Sequence, residues 1–183
     1  MCRFYVIKKT APAPRFPELL FPLEEDLEVR PGVKAPALLL SKEGELICKK
    51  IPFGSFAYEK LLYNARSETV MEKSFFQEAF LHQKAVFPCS CFEEALSDGL
   101  PKRFSGEDAT FYLLGFYKKD GFILLTKENP EKGKGNPPRM PCPIKKEGIV
   151  SYLSGQKSLE EILSLFEEKV ESETHGYSWT PLF

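Results

Sequence analysis

Short apolar runs separated by charged or proline-containing segments dominate this chain, and only two stretches carry the wider apolar spacing of an amphipathic helix. The aromatic and β-branched content of RFYVIKK, residues 3–9, predicts a strand. APALLLSKEGELICKK, residues 35–50, reads as a hairpin in which two apolar runs flank a Ser-Lys-Glu-Gly turn at 41–44. AVFPCSCF, residues 85–92, is a further β-rich run, interrupted by Pro88. TFYLLGFYKKDGFILLT, residues 110–126, is the clearest hairpin, with Asp120-Gly121 at its turn. Between these, VMEKSFFQEAFLHQ (70–83) places Met71, Phe75, Ala79 and Phe80 on one helical stripe behind Thr69 as N-cap. A second helix follows from KSLEEILSLFEEKVESE, where Ser158 and Glu161 form a capping box and Leu159, Ile162, Leu163, Leu165 and Phe166 make a broad apolar stripe. Residues 10–26, with Pro12, Pro14, Pro17 and Pro22, read as a surface arm, and residues 129–143 as an irregular Gly/Pro/Lys loop. Strands in the middle with helices beside them predict the α+β class: a single domain with a largely antiparallel β-sheet or barrel-like core flanked by helices.

A chain of 183 residues, 43% hydrophobic and 28% charged, can bury its core as one domain, residues 1–183. The formal net charge of −1 excludes a global positive field that would draw the protein to nucleic acid or to an anionic membrane, so any DNA contact has to come from a local patch. Lys132, Lys134, Arg139, Lys145 and Lys146 form one such cluster, although a charge-rich loop is more often simply solvated. Five cysteines without a charged-then-apolar leader or a long apolar run predict a cytoplasmic protein with reduced thiols and no membrane span. Cys89 and Cys91 form a Cys-x-Cys pair, but no second pair or histidine spacing completes a tetrahedral set, and Cys48 and Cys142 are isolated. Buried thiols account for these four, and no metal or other cofactor is expected.

Cys2 is different because of its position. If Met1 is removed, the chain begins with an amine and a thiol on adjacent carbons, with ordinary pKa values of about 8 and about 8.5. Such a 1,2-aminothiol condenses with an aldehyde, first to an imine and then to a five-membered thiazolidine. From position alone, Cys2 also reads as a small residue opening a strand.

Four segments change that weighting. MCRF at the start, NARSET at 64–69, VFPCSCFEEA at 86–95 and PRMP at 138–141 occur in an order and spacing that resembles the SOS response-associated peptidase (SRAP) family, from residue 2 to about residue 144. The resemblance implies a compact β-rich fold around the mature N-terminal cysteine, autoproteolytic removal of Met1, and covalent attachment to abasic sites in single-stranded DNA. Carried over, it makes Cys2 the nucleophile, Asn64 a hydrogen-bonding partner for the amine or sugar, and Glu94 the acid/base group. Arg3, Arg66 and Arg139 become DNA contacts and Glu68 a supporting group, in a monomer whose partner is abasic single-stranded DNA. The residue chemistry agrees: a carboxylate shuttles protons through imine formation, an amide both donates and accepts, and a guanidinium grips phosphate. Alternation along an extended segment separates Glu94 from Glu93.

The chain also departs from the family pattern. The glycine after Cys2 is missing, Lys49-Lys50-Ile51-Pro52 stands where relatives carry Trp-Gly-x-Pro, Ala95 replaces a tryptophan, and Pro137 occupies the histidine position of His-x-Arg-Met-Pro. His82 and His175 lie elsewhere and read as surface or boundary residues. Two other readings therefore stand beside the first: a single-strand-binding module that has lost its chemistry, and a small thiol peptidase or amidase.

Overall fold

The computed structural model describes residues 2, 4–9, 23, 25–57, 59–96, 99–107, 110–133 and 135–172. Arg3, Lys134, His175 and most of the proline-rich arm lie outside them. The strands are β1 (Phe4–Ile7), β2 (Leu27–Val29), β3 (Lys34–Leu40), β4 (Leu46–Pro52), β5 (Ser55–Ala57), β6 (Lys60–Leu62), β7 (Asn64–Arg66), β8 (Lys84–Cys89), β9 (Cys91–Ala95), β10 (Pro101–Gly106), β11 (Phe111–Tyr117), β12 (Phe122–Glu128), β13 (Arg139–Pro141), β14 (Pro143–Ile144) and β15 (Val170–Ser172). The helices are α1 (Ser74–His82), α2 (Ile149–Leu153) and α3 (Leu159–Phe166).

Two open sheets pack face to face, the largely antiparallel β-sheet core flanked by helices that the sequence predicts, with no closed barrel among the described residues. One runs β15-β10-β9-β1-β2; the other runs β13-β12-β11-β8-β3-β4, with β14 added beside β11 and β7 beside β12. The second sheet is buried on both faces, which is why its central strands read as near-continuous apolar runs. Along β11, Phe111 and Leu113 point between the sheets, while Tyr112, Leu114 and Phe116 point to the helices. Along β12, Phe122 and Leu124 face the inter-sheet core, and Ile123 and Leu125 face α1, α2 and α3. Phe87 and Phe122 stack at the centre with ring centroids 3.9 Å apart. Phe4, Val6 and Cys91 form a small cluster on the outer face of the first sheet.

The two clearest hairpins match the sequence pattern: β3 pairs β4 from Leu40↔Leu46 outward, and β11 pairs β12 from Tyr117↔Phe122. The capping box of α3 is formed, with Ser158 and Glu161 bonding each other's backbone amides, and Ile162 is fully buried. Four expectations need correction. Helix α1 begins at Ser74 with Lys73 as its cap, because Val70–Glu72 is a separate 3₁₀ turn; Thr69 makes no side-chain cap and Met71 is 42% exposed. Leu165 is exposed because α3 buries only one narrow edge. Pro88 does not interrupt its strand: β3 pairs with β8 only at Val86, so the missing N–H leaves no ladder bond unmade, and the chain turns at Ser90 instead. Arg139–Pro141 and Pro143–Ile144 are short strands inside the segment expected to be irregular.

Candidate active site

β1 lies between β2 and β9, paired with both, so every residue of the strand is buried. Tyr5 and Ile7 face the inter-sheet core, and Phe4 and Val6 face outward. Cys2 precedes the strand and is fully buried in the same core, its Sγ 3.6 Å from the Phe4 carbonyl oxygen.

Asn64 reaches Cys2 because of the register of β7, which runs parallel to β12 with Asn64 opposite Leu124 and Arg66 opposite Thr126. The two-residue period sends Ala65 into the helix-side core and puts Asn64 and Arg66 on the other face. The strand is held from below by its preceding hairpin. Asp120 accepts from Ser55 Oγ and the Phe56 amide, both at 2.7 Å, and a Cβ on Gly121 would collide with the Gly54 carbonyl oxygen at 1.9 Å. Asn64 Nδ2 donates to the Cys2 carbonyl oxygen at 2.8 Å. Its Oδ1 is buried and makes no hydrogen bond within the protein.

β9 presents its two carboxylates to opposite faces. Glu93 pairs with Arg103 at 2.7 Å, whereas Glu94 shares the face of Phe92 and is 1% exposed. Burial pushes the Cys2 thiol well above its ordinary value, and the Glu94 carboxylate pushes it further. The thiol is therefore protonated at neutral pH in this closed site. Tyr5, which the sequence did not mark, and Cys89, expected only as a buried thiol, complete the neighbourhood. Tyr5 is fully buried, and its hydroxyl makes no hydrogen bond within the protein. Cys89 Sγ donates to the Cys91 carbonyl oxygen at 3.3 Å. Burial, then the Cys89 and Cys2 thiols, raise the Tyr5 hydroxyl, so it too stays protonated. The Cys-x-Cys pair is split by the turn at Ser90: Cys89 enters the inter-sheet core and Cys91 the outer cluster. Among the described residues no group of three or more His, Cys, Asp and Glu is arranged to hold a metal ion.

The remaining sequence-selected residues lie further along β7 and β13. Arg66 is exposed. Arg139 Nη2 donates to Glu68 Oε2 and to the Thr126 carbonyl oxygen, both at 2.7 Å, and its side chain is 17% exposed. Glu68 Oε1 accepts the Glu128 amide at 3.0 Å. Burial alone would raise the Glu68 carboxyl, but bonds from Arg139 and the backbone outweigh it and hold Glu68 below its ordinary value. Glu68 and Arg139 thus form a latch between the end of β7 and β13. Lys132 is paired with Glu128, which takes it out of an unbroken basic stripe. Pro137 is buried, and the Asn129 side-chain amide donates to its carbonyl oxygen at 3.0 Å. His82 is an exposed residue in the last turn of α1.

An open two-sheet α+β core holds Cys2, clamped by Asn64, beside the buried Glu94. The profile of the SOS response associated peptidase (SRAP) family matches residues 23–181, and the chain belongs to that DNA-damage-associated family. Three solved structures share the fold. A protein from Bordetella bronchiseptica has a TM-score of 0.67 at 16% identity, covering 95% of this chain and 100% of its own. A phage-related protein from the same organism has a TM-score of 0.66 at 15% identity, covering 95% of each chain. A protein from Bacteroides thetaiotaomicron has a TM-score of 0.62 at 17% identity, covering 93% and 91%. No functionally curated protein matches the chain. None of the described helices is long and apolar enough to cross a membrane.

Proposed function

We propose that this protein captures abasic sites in single-stranded DNA through a thiazolidine formed on Cys2 after removal of Met1. The observation that carries the reading is the clamp at Cys2: Asn64 fixes its carbonyl at 2.8 Å and keeps a buried amide oxygen in reserve. Once Met1 is gone, that oxygen is an acceptor suited to the freed amine, and the clamp holds the backbone so that the amine cannot rotate away.

The protonation states order the steps. With the thiol held neutral by burial and by Glu94, the amine is the first nucleophile. Its nitrogen bonds to the aldehyde carbon of the opened sugar, its two protons pass in turn from nitrogen to oxygen through the Glu94 carboxylate, and water leaves to give the imine. The Cys2 thiol then adds across the C=N bond, sulfur to carbon and its proton to nitrogen. No oxidant is needed, because the condensation releases only water. Arg66, exposed on the same face of β7 as Asn64, is placed to meet phosphate, and the latched Arg139 supports that edge.

The test uses the full chain, with the mass of the mature protein confirming loss of Met1. It is incubated with abasic, intact single-stranded and duplex oligonucleotides and run on a denaturing gel. A shifted band with the abasic strand alone, lost in Cys2→Ala, is expected. A mature protein that gives no band sinks the reading. Salt-sensitive binding without a band would mark a non-covalent binding module, and peptide hydrolysis without DNA a thiol peptidase.

A further inference from the structure

We propose that the Tyr5 hydroxyl is the hydrogen-bond donor that receives the carbonyl oxygen of the aldehyde captured at Cys2. This rests on the reading of Cys2 as the capturing nucleophile, and it assigns a reacting-atom contact to a residue three positions further on, in the strand that Cys2 precedes.

The argument starts from backbone placement. Tyr5 is pinned on both sides, opposite Val29 of β2 and Phe92 of β9, so its side chain has to enter the inter-sheet core that also holds Cys2. Its ring packs edge-on against Phe53 with centroids 6.1 Å apart, and Phe53 in turn stacks on Phe122 at 4.8 Å. This packing needs only a phenyl ring. The hydroxyl adds a polar atom that is buried and makes no hydrogen bond within the protein, which costs folding stability that phenylalanine would avoid.

The second observation is that the unspent group of Asn64 is complementary. The buried Oδ1 of Asn64 accepts and the buried Tyr5 O–H donates; Asn64 is bonded to Cys2, and Tyr5 shares the buried cluster that holds Cys2. A tetrahedral carbinolamine presents the matching pair: a nitrogen that must be held as a donor, and an oxygen that gathers negative charge as the amine attacks. As the C–N bond forms, the C=O π pair moves onto oxygen and the Tyr5 O–H supports it there. Tyr5 keeps its own proton; the two protons that end on this oxygen come in turn from the amine nitrogen by way of Glu94. The oxygen then leaves as water and the donor is free for the next cycle. A preorganised donor of this kind in a dry site acts on the rate rather than on binding.

The experiment compares wild-type and Tyr5→Phe full-length protein, both mature by mass, in single-turnover adduct formation with an abasic single-stranded oligonucleotide. Affinity for the intact strand and melting temperature are measured alongside. Tyr5→Phe is expected to slow adduct formation by about 10²-fold, with unchanged affinity for the intact strand and a melting temperature equal to or above wild type. Adduct formation at the wild-type rate overturns the inference while leaving the Cys2 reading intact. A loss matched by an equal loss of affinity also overturns it, since the hydroxyl would then act in binding. A wild-type protein that forms no adduct overturns both.

Discussion

Replacing Asn64 separates the clamp on Cys2 from mere strand packing. The wild-type amide gives the Cys2 carbonyl its partner at 2.8 Å and leaves Oδ1 buried and unbonded. Asn64→Leu removes both groups at similar volume, so the loss at the carbonyl and the relief at Oδ1 largely cancel. A net cost of about 1 kcal/mol is expected, or about 2–4 °C of melting temperature for a domain of this size. Asn64→Asp keeps the shape but has no N–H, and it sets a carboxylate against a carbonyl oxygen in a core that already holds Glu94. An orphaned acceptor and an unpaired buried charge together cost about 3–5 kcal/mol, or about 6–20 °C. The pH dependence carries the sign. Burial raises the folded-state pKa of the introduced carboxyl above its unfolded value of about 3.9. The penalty is therefore absent below that value, where the protonated acid donates O–H to the Cys2 carbonyl, and stability is lost as pH rises through the folded pKa. Thermal unfolding followed by circular dichroism from pH 4 to 8, variant minus wild type, reads this directly. An Asn64→Asp protein that melts with wild type at pH 8, or whose deficit is the same at every pH, refutes the clamp.

Two further outcomes follow from the latch and from Pro137. Glu68→Gln breaks a half-exposed ion pair with Arg139 and is expected to cost about 0.2–1 kcal/mol at pH 7. Because the Glu68 carboxyl is held below its ordinary value, its contribution is present above the unfolded pKa and lost as pH falls through the folded one. The melting difference should vanish in acid; a constant difference would contradict the latch. Where a histidine-bearing relative cleaves the strand or releases the adduct, this protein is expected to form the adduct yet run those later steps about 10²- to 10⁴-fold more slowly. Pro137→His should recover part of the deficit, since the Asn129 bond goes to a backbone carbonyl that the substitution keeps. Release as fast as in the relative would show that Pro137 costs nothing.

The fold was legible where burial on both faces or a tight turn wrote itself into the residues. Phe111–Tyr117 and the first four residues of Phe122–Glu128 are apolar almost throughout because helices cover one side and the second sheet the other. Periodicity was less informative at Met71 and Leu165, since a helical stripe shows which positions share a face but not how far a neighbour extends over it. The proline rule failed at Pro88 because the cost of a missing N–H depends on whether a strand lies on that side. At the site, alternation was enough to separate Glu93 from Glu94. The meeting of Asn64 with Cys2 was not readable from pattern at all: β7 has three residues, too few to mark a strand in the sequence, and a partner fixed by sheet topology, so only the resemblance pointed to it. Tyr5 stood only as one position of the strand predicted over residues 3–9, and its ring is strand core. Nothing in a sequence distinguishes a hydroxyl that rides along with a buried ring from one that is used.

The topology also fixes when the site can exist. The Asn64 to Cys2 bond spans 62 residues, and β1 finds its second neighbour only when β9 arrives from residues 91–95. Asn64 in turn is placed by β12, whose register partners lie another sixty positions on. Loops of that length close late, so the pieces around Cys2 assemble near the end of folding rather than during synthesis. On the growing chain the thiol and its peptide bond to Met1 are ordinary chemistry, without clamp or carboxylate. On the proposed reading, Cys2 thus gains its reactivity late, and that reactivity becomes a certificate that both sheets have closed.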